Sequence, residues 1–348
     1  MRKLSIDGTL IDDNTSCFVI AEIGHNHQGN IEIAKEIIAK AKEIGVNAVK
    51  LQKRDNKALF TKAFYNSPYY SENSYGDTYG IHREYLEFGR DEYQELKSYC
   101  KEIGITFFAS VFDFNSADFL AELDMPAYKI ASGDLTNTPL LKHVAEIGKP
   151  IIISTGGGTI DDVKRAYDTI MPINQQLCIL QCTAAYPVNP EDMHLRVIKT
   201  YRDTFQDVVI GLSDHESGIS LAIVAYMLGA RVVEKHFTLN RAWRGTDHAF
   251  SLAPSGMRRL VRNLKRAYVA LGEPVKKRLE FEEGPLYKMG KKLVVAHDLP
   301  KGHRIKREDI AIKSPGDGMP PYEIDNIIGK TLKKNLLEDE NISMDLLR

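Results

Sequence analysis

The chain has 348 residues, with 46 basic against 47 acidic side chains, a net charge of −1 and 43% hydrophobic content. This ordinary composition excludes disordered, collagen-like and disulfide-dense classes, and the length suits one large domain or two with ample material for a core. Balanced charge argues against a nucleic-acid or membrane-surface protein and leaves room only for a compact basic pocket, sized for a small anion.

Cys17, Cys100, Cys178 and Cys182 lack CxxC spacing and read as reduced core thiols. The opening residues contain no apolar signal-peptide core, and the longest apolar stretch, around 221–230, is too short for a membrane span. A cytoplasmic location, with no membrane or nucleic-acid partner, is the expectation.

Residues 4–11 alternate apolar and polar side chains about Asp7-Gly8, which predicts a tight β-hairpin. A regular alternation of short apolar runs and helical periodicity follows. The predicted strands are 18–24, 48–53, 106–112, 127–132, 150–155, 177–183, 208–214 and 232–239. In the helix after the first of these, Ile33, Ile37, Ala41 and Ile44 fall on one face, and Gly45 is the expected stop. The last helix is expected over 254–271. Eight βα units in this length predict a (β/α)8 TIM barrel, an α/β fold whose site lies where the strands end.

The connection 54–90 is far longer than an ordinary βα loop and carries Tyr65, Tyr69, Tyr70, Tyr75, Tyr79 and Tyr85. Such a loop completes a subunit interface, covers a substrate, or does both. Beyond Glu273-Pro274 the alternation stops. The expected division is a barrel domain over 1–274 with its hairpin, a linker over 275–287 and a small domain over 288–348. Within the last, 299–309 and 336–346 share a faint pattern of leucine, turn residues, isoleucine and acid, which suggests paired turns.

Polar residues gather at the predicted strand ends: Glu22 with His25-Asn26-His27, Lys50 with Gln52, Ser132 with Asp134, and Ser154 before the Gly156–Gly158 run. Gln181-Cys182-Thr183, Tyr186, Ser213-Asp214-His215 and Glu234-Lys235-His236 continue the series. Alternation along a strand lets Lys50 and Gln52 share a face, and Ser132 and Asp134 likewise if the strand persists. Lys50, Lys129 and Lys235 offer positive charge to an anion, and Ser132, Ser154 and Ser213 offer hydroxyl donors. Gly156–Gly158 can add backbone amides or only make a sharp turn. His215 and His236 end neighbouring strands and can bind one divalent metal, with substrate and water completing the shell; two histidines are too few for a closed zinc site. His25 and His27 compete for that role, and simple hydrogen bonding to loops is the alternative for the pair.

As an ordered set, Ala21-Glu22-Ile23-Gly24-His25-Asn26-His27, Lys50-Leu51-Gln52, Lys129-Ile130-Ala131-Ser132-Gly133, Ser154-Thr155-Gly156, Gln181-Cys182-Thr183, Ser213-Asp214-His215 and Glu234-Lys235-His236-Phe237 resemble the N-acetylneuraminate (sialic acid) synthase family. The resemblance spans nearly the whole chain, and the tail looks like that family's antifreeze-like (SAF, β-clip) domain. It implies condensation of phosphoenolpyruvate with an open-chain amino sugar, giving a 3-deoxy-2-keto nonulosonic acid and phosphate. It further implies a domain-swapped homodimer and a divalent cofactor, Mn2+ or Mg2+, on His215 and His236. Lys50, Lys129, Ser132, Ser154 and Ser213 would hold phosphoenolpyruvate, while Glu22, Gln52, Asp134, Tyr186 and Asp247 would surround the sugar. Ser110 and Thr183 join the substrate-binding set, and Glu22 and Asp247 are the acid-base candidates beside the two histidines.

Several positions depart from the family pattern. Ser314 stands where bacterial sialic acid synthases typically carry an arginine for the N-acyl group, Ala184 replaces a polar residue, Asp134 is shorter than the usual glutamate, and Ser110 replaces threonine. These bear on the choice of sugar, among N-acetylmannosamine, diamino-trideoxy hexoses and unacylated or phosphorylated sugars. A metal-dependent TIM-barrel hydrolase or retro-aldol lyase is the rival reading, and a carbohydrate- or ice-binding module on an inert barrel is the non-enzymatic one.

Overall fold

The computed structural model describes residues 2–348, which divide into two compact units, 2–272 and 273–348. In the first, β1 (Lys3–Ile6) and β2 (Thr9–Asp12) form an antiparallel hairpin. Asp7 and Gly8 both take positive φ (49° and 77°), the geometry a two-residue turn needs to match strand twist.

A closed parallel barrel follows, made of β3 (Phe18–Gly24), β4 (Ala48–Lys53), β5 (Thr106–Val111), β6 (Tyr128–Ile130), β7 (Ile151–Ser154), β8 (Leu177–Cys182), β9 (Val209–Asp214) and β10 (Val232–His236), with β10 closing on β3. This is the TIM barrel read from the alternation. Every strand is buried on both faces, which is why the runs are continuously apolar below their polar ends. The interior is filled by Phe18, Ile20, Ala48, Phe108, Ile152, Leu180 and Val232, and the hairpin's Leu4, Ile6 and Ile11 pack into the same cluster. The hairpin therefore plugs the end of the barrel opposite the site. Gly211 is required here by space: a Cβ would lie 2.4 Å from the Val232 carbonyl oxygen and 2.5 Å from Leu180.

The helix Ile31–Ile44 starts on Asn30, whose side chain accepts from the backbone N–H groups of Glu32 and Ile33, and ends on Gly45 at φ 88°. Its buried face is Ala34, Ile37, Ile38, Ala41 and Ile44; Ile33 is only partly covered, so the stripe is rotated slightly from the expected one. The last helix of the unit spans Pro254–Leu271. β6 stops at Ile130, and Ser132–Asp134 form a 3-10 turn. Ser132 and Asp134 therefore share no strand face, contrary to the extended reading.

The long 54–90 connection holds three short helices, Asn56–Leu59, Lys62–Tyr65 and Tyr79–Leu86. Its aromatic rings pack on one another: Tyr79 meets Phe60, Phe64 and Tyr69, and Tyr75 stacks on Tyr85 at 4.8 Å. The Tyr75 hydroxyl donates to the Arg244 carbonyl (2.7 Å), fastening the excursion to the loop after β10. All four cysteines are free and buried, and no helix among the described residues is long and apolar enough to cross a membrane.

The second unit has its own core, including Leu293, Val295, Ile305, Ile327, Leu332, Leu336 and Leu347. β11 (Lys292–Val295) pairs antiparallel with β12 (Ile310–Lys313). The helix Glu283–Met289 forms where an irregular linker was expected. The two similar segments meet: Leu299 and Leu336 exchange backbone hydrogen bonds (2.8 and 2.9 Å), and both segments end in 3-10 turns, Arg307–Asp309 and Met344–Leu346.

Candidate active site

Strand parity decides which polar residues meet. On each barrel strand the residues in register with the apolar interior point inward, so the last inward position carries Glu22 on β3, Lys50 and Gln52 on β4, Ser110 on β5, Lys129 on β6 and Ser154 on β7. Cys182, Ser213, Glu234 and His236 complete the ring, and with Ser132, Tyr186 and His215 these side chains line one narrow cavity. Lys235 has the opposite parity. It points away from the cavity and pairs with Asp214, its register partner on β9, at 2.7 Å, and also donates to the Glu216 carbonyl. Lys235 is therefore not one of the cavity's cations.

The floor of the cavity is a buried charge array. Lys50 Nζ lies 2.6 Å from Glu22 Oε2 and 3.7 Å from Glu234 Oε2, and donates to Ser110 Oγ at 2.7 Å. Lys129 Nζ lies 3.9 Å from Glu234 Oε1 and donates to its neighbour's carbonyl, while Ser213 Oγ donates to Glu234 at 3.3 Å. Burial, and the nearby Lys50 charge, lower the Lys129 pKa from its ordinary value even though Glu234 opposes them. Burial pushes the Glu234 carboxyl up, but Lys129 and Lys50 outweigh it and hold the group below the usual range. Ser154 Oγ and Glu234 Oε2 are buried without a hydrogen-bond partner, so donor and acceptor capacity faces the cavity. Burial also raises the Cys182 thiol, which leaves it a poor nucleophile.

Beside this array stand the two imidazoles. His215 Nδ1 contacts the Thr183 carbonyl oxygen at 2.9 Å; as the donor there it leaves Nε2 with a free lone pair. Burial, then the His236 ring, take its pKa down to about 3. His236 Nδ1 is buried without a hydrogen-bond partner, 3.8 Å from Asp247 Oδ2, and the two ring centroids are 5.6 Å apart. A neutral imidazole with a free lone pair and a second unpartnered buried nitrogen are suitable donors for one divalent cation. No group of three or more His, Cys, Asp or Glu in metal-binding range occurs among the described residues, so the remaining ligands would come from substrate and water. His25 and His27 do not compete. His27 Nδ1 accepts from the Gly29 N–H and its ring stacks on Phe88 at 4.1 Å, and His25 lies between two arginines.

Three polar groups converge next to the imidazoles. A Cβ on Gly24 would lie 3.1 Å from Asp247 Oδ2, 3.3 Å from Gln52 Nε2 and 3.3 Å from Glu22 Oε1, and Gln52 itself donates to Glu22 at 2.6 Å. The Tyr186 ring stands over His215 at 4.1 Å and is 55% exposed, at the cavity's mouth. Asp134 and Thr183 fall outside the lining: Asp134 accepts from Asn137 at 3.0 Å, and Thr183 donates to the Asp192 carbonyl at 2.8 Å while its own carbonyl orients His215. The Gly156 amide is taken by Ser132 Oγ at 2.9 Å, so the glycine run chiefly shapes the turn.

Sequence reading assigned no role to Glu234, the hub between both lysines, although its even spacing from His236 would have placed it on the same face. It also passed over Arg54, which donates to Gln52 Oε1 at 2.7 Å and stacks on Phe112 at 3.6 Å.

A family model described as the NeuB family matches residues 37–276, and one described as the SAF domain matches residues 292–348. The chain is 41% identical over 341 residues to N-acetylneuraminate-9-phosphate synthase of Homo sapiens, covering 98% of this chain and 95% of that protein. It is 36% identical over 327 residues to N,N'-diacetyllegionaminic acid synthase of Legionella pneumophila, covering 92% of each. A crystal structure of N-acetylneuraminic acid (sialic acid) synthetase from Leptospira borgpetersenii, in complex with citrate, superposes with a TM-score of 0.71 at 28% identity over 82% of this chain and 95% of that one. With the ordered motifs and the ring of strand-end side chains, these matches establish that the chain belongs to the NeuB family, with a SAF domain at its C-terminal end.

Proposed function

We propose that this protein is a nonulosonic acid synthase that condenses phosphoenolpyruvate with an open-chain amino-sugar aldehyde, releasing inorganic phosphate. The observation that carries the reading is the juxtaposition, in one cavity, of a lysine and serine array with two metal-competent imidazoles. Lys50, Lys129, Ser132, Ser154 and Ser213 bind the phosphate and carboxylate of phosphoenolpyruvate. Glu22, Gln52, Tyr186 and Asp247 face the sugar, and Asp134 and Thr183 act at most through their neighbours.

The charges explain why a cation belongs here. Lys50 and Lys129 are balanced by Glu22 and Glu234, so a bound multiply charged anion would be uncompensated without another positive charge. Mn2+ or Mg2+ held by His215 and His236 would supply that charge and polarise the aldehyde oxygen. Carbon 3 of phosphoenolpyruvate forms a bond to the aldehyde carbon, and the new alkoxide takes up the proton that water releases on adding at carbon 2, with the Glu22 carboxylate, paired to Lys50, and Asp247 placed to relay it. Water adds at carbon 2 and loses a proton. The carbon–oxygen bond to phosphate then breaks, the pair leaving with phosphate, and the hydroxyl at carbon 2 passes its proton to the departing phosphate as the ketone forms, while Lys129, Lys50 and the serine hydroxyls stabilise the departing charge. Holding both partners in one cavity supplies the orientation the reaction lacks in water. In the same reading the enzyme is a homodimer, and it is cytoplasmic, a location in keeping with its free buried thiols.

The test is phosphate release with phosphoenolpyruvate and Mn2+ against a panel of free sugars, with mass analysis of the products. Sugar-dependent release and a product three carbons longer are expected. Sugar cleavage without phosphoenolpyruvate would replace this reading with the hydrolase or retro-aldol one.

A further inference from the structure

The tyrosines of the 54–90 excursion are used by no step above. Tyr65 donates to Glu84 at 3.2 Å and the Tyr79 hydroxyl accepts from Arg83 at 3.1 and 2.9 Å, so these two stay within the excursion. Tyr75 is different: its hydroxyl donates at 2.7 Å to the Arg244 carbonyl, in the irregular stretch between β10 and the helix Pro254–Leu271. The same carbonyl accepts a second hydrogen bond from Gln28 Nε2, also at 2.7 Å, so both of its lone pairs are used. Two neighbouring contacts run the same way. The Gly245 N–H donates to Asn73 Oδ1 at 3.0 Å, and the Arg244 guanidinium donates to the Ser74 carbonyl while lying 4.8 Å from the centre of the Tyr75 ring.

These contacts fall three residues before Asp247. On its far side Asp247 is anchored to the barrel: its carbonyl accepts from the Ser251 N–H (3.2 Å) and hydroxyl (2.6 Å), and Asn26 donates to that hydroxyl at 3.0 Å. On its near side residues 243–246 have no helix or strand to direct them, and the hydrogen bonds at 244 and 245 go to the excursion and to Gln28. The carboxylate between these two anchors lies 3.8 Å from His236 and converges with Gln52 and Glu22 about Gly24. Irregular backbone holds such a group in place only as well as its outside contacts do, and a displacement of about 1 Å in a reacting group costs up to about 100-fold in rate.

We infer that Tyr75 and Gln28 are positioning residues: by holding the Arg244 carbonyl they fix the entry of the loop and keep the Asp247 carboxylate on the sugar-facing wall. The long excursion thereby serves the reaction without touching substrate. Its effect falls on the sugar half of the cavity. Lys50, Lys129, Ser154 and Ser213 stand on barrel strands, whose register places them without help from the loop. The inference rests on the synthase reading for what Asp247 does, but not for the existence of the tie.

The variants are Tyr75→Phe, which keeps the ring stacked on Tyr85 and beside Arg244 and loses only the hydroxyl, and Gln28→Met, which keeps the side-chain length. Phosphate release is measured with phosphoenolpyruvate, Mn2+ and the panel sugar that turns over fastest, and phosphoenolpyruvate binding is measured by calorimetry without sugar. A neutral hydrogen bond is worth about 3–10-fold, so kcat/KM for the sugar should fall by that factor in each variant, while the Kd for phosphoenolpyruvate changes by less than about twofold. In an Asp247→Asn background, Tyr75→Phe should change kcat/KM by less than about twofold, because the group it positions is already gone. Trp243, the only tryptophan of the chain and the neighbour of Arg244, reports on the loop without turnover: its quenching by acrylamide should rise in both variants. Raised quenching together with a parent that turns over no sugar would leave the tie standing and sink the synthase reading. The inference is overturned if the full loss persists in the Asp247→Asn background, if phosphoenolpyruvate affinity falls in step with sugar turnover, or if folded variants keep parental kcat/KM and quenching.

Discussion

Replacing Glu234 with glutamine tests the charge array at its hub. The carboxylate lies 3.7 Å from Lys50 Nζ and 3.9 Å from Lys129 Nζ and is 6% exposed. At an effective dielectric constant of about 20, Coulomb's law gives roughly 4 kcal/mol of attraction for each pair. Part of that sum is cancelled because an uncharged amide escapes the desolvation cost of the carboxylate, and breaking a buried ion pair typically costs about 3–5 kcal/mol net. For a unit of this size that is a fall in Tm of roughly 5–9 °C. Among the described residues the lysines then keep only Glu22 as an ion-pair partner, so an added anion should bind where the carboxylate was. Thermal unfolding with and without saturating inorganic phosphate is the assay: Glu234→Gln should melt lower than the parent, and phosphate should raise its Tm by more than it raises the parent's. A variant as stable as the parent and no more responsive to phosphate would mean that Glu234 does not balance the two lysines.

Three further outcomes follow from the same geometry. His236→Ala should abolish both metal-supported turnover and the rise in Tm on adding Mn2+; an undiminished Mn2+-dependent rise would place the metal elsewhere. Burial depresses the pKa of His27 to about 3 and of His25 well below its ordinary value, so the unfolded chain binds more protons than the folded one below pH 6.5. Stability from these two groups is complete above about pH 6.5 and is lost as pH falls below it, for His27 down to about 3, by at most about 1.4 kcal/mol per pH unit for each bound proton; a Tm flat between pH 6.5 and 4.5 would contradict their burial as neutral rings. Gly211→Ala, which sets a Cβ 2.4 Å from the Val232 carbonyl oxygen, should destabilise the barrel by about 3 kcal/mol or more, measured by denaturant unfolding; a neutral effect would mean the barrel interior yields at that layer.

Much of this molecule was legible in its sequence because the determinants are local. Alternating short apolar runs and helical periodicity define the βα repeat, Asp7-Gly8 supplies the positive φ of the hairpin, and Asn30 and Gly45 bound the first helix by hydrogen bonding and backbone freedom. The ordered strand-end motifs carried the family, and period-two alternation put Lys50 and Gln52 on one face. What the sequence left open depends on which face of each strand turns inward and on where the loops return. Lys235 and Glu234 are adjacent in the chain, yet parity sends one to a partner outside the cavity and the other to its centre. β6 ends at Ile130, so Asp134 leaves the wall that strand alternation would have given it. His25, Arg54 and Arg83 come from three separate segments, and only barrel closure with the packed 54–90 excursion sets both guanidiniums on one imidazole. Such contacts between residues distant in sequence are fixed by register and packing, which no local pattern encodes.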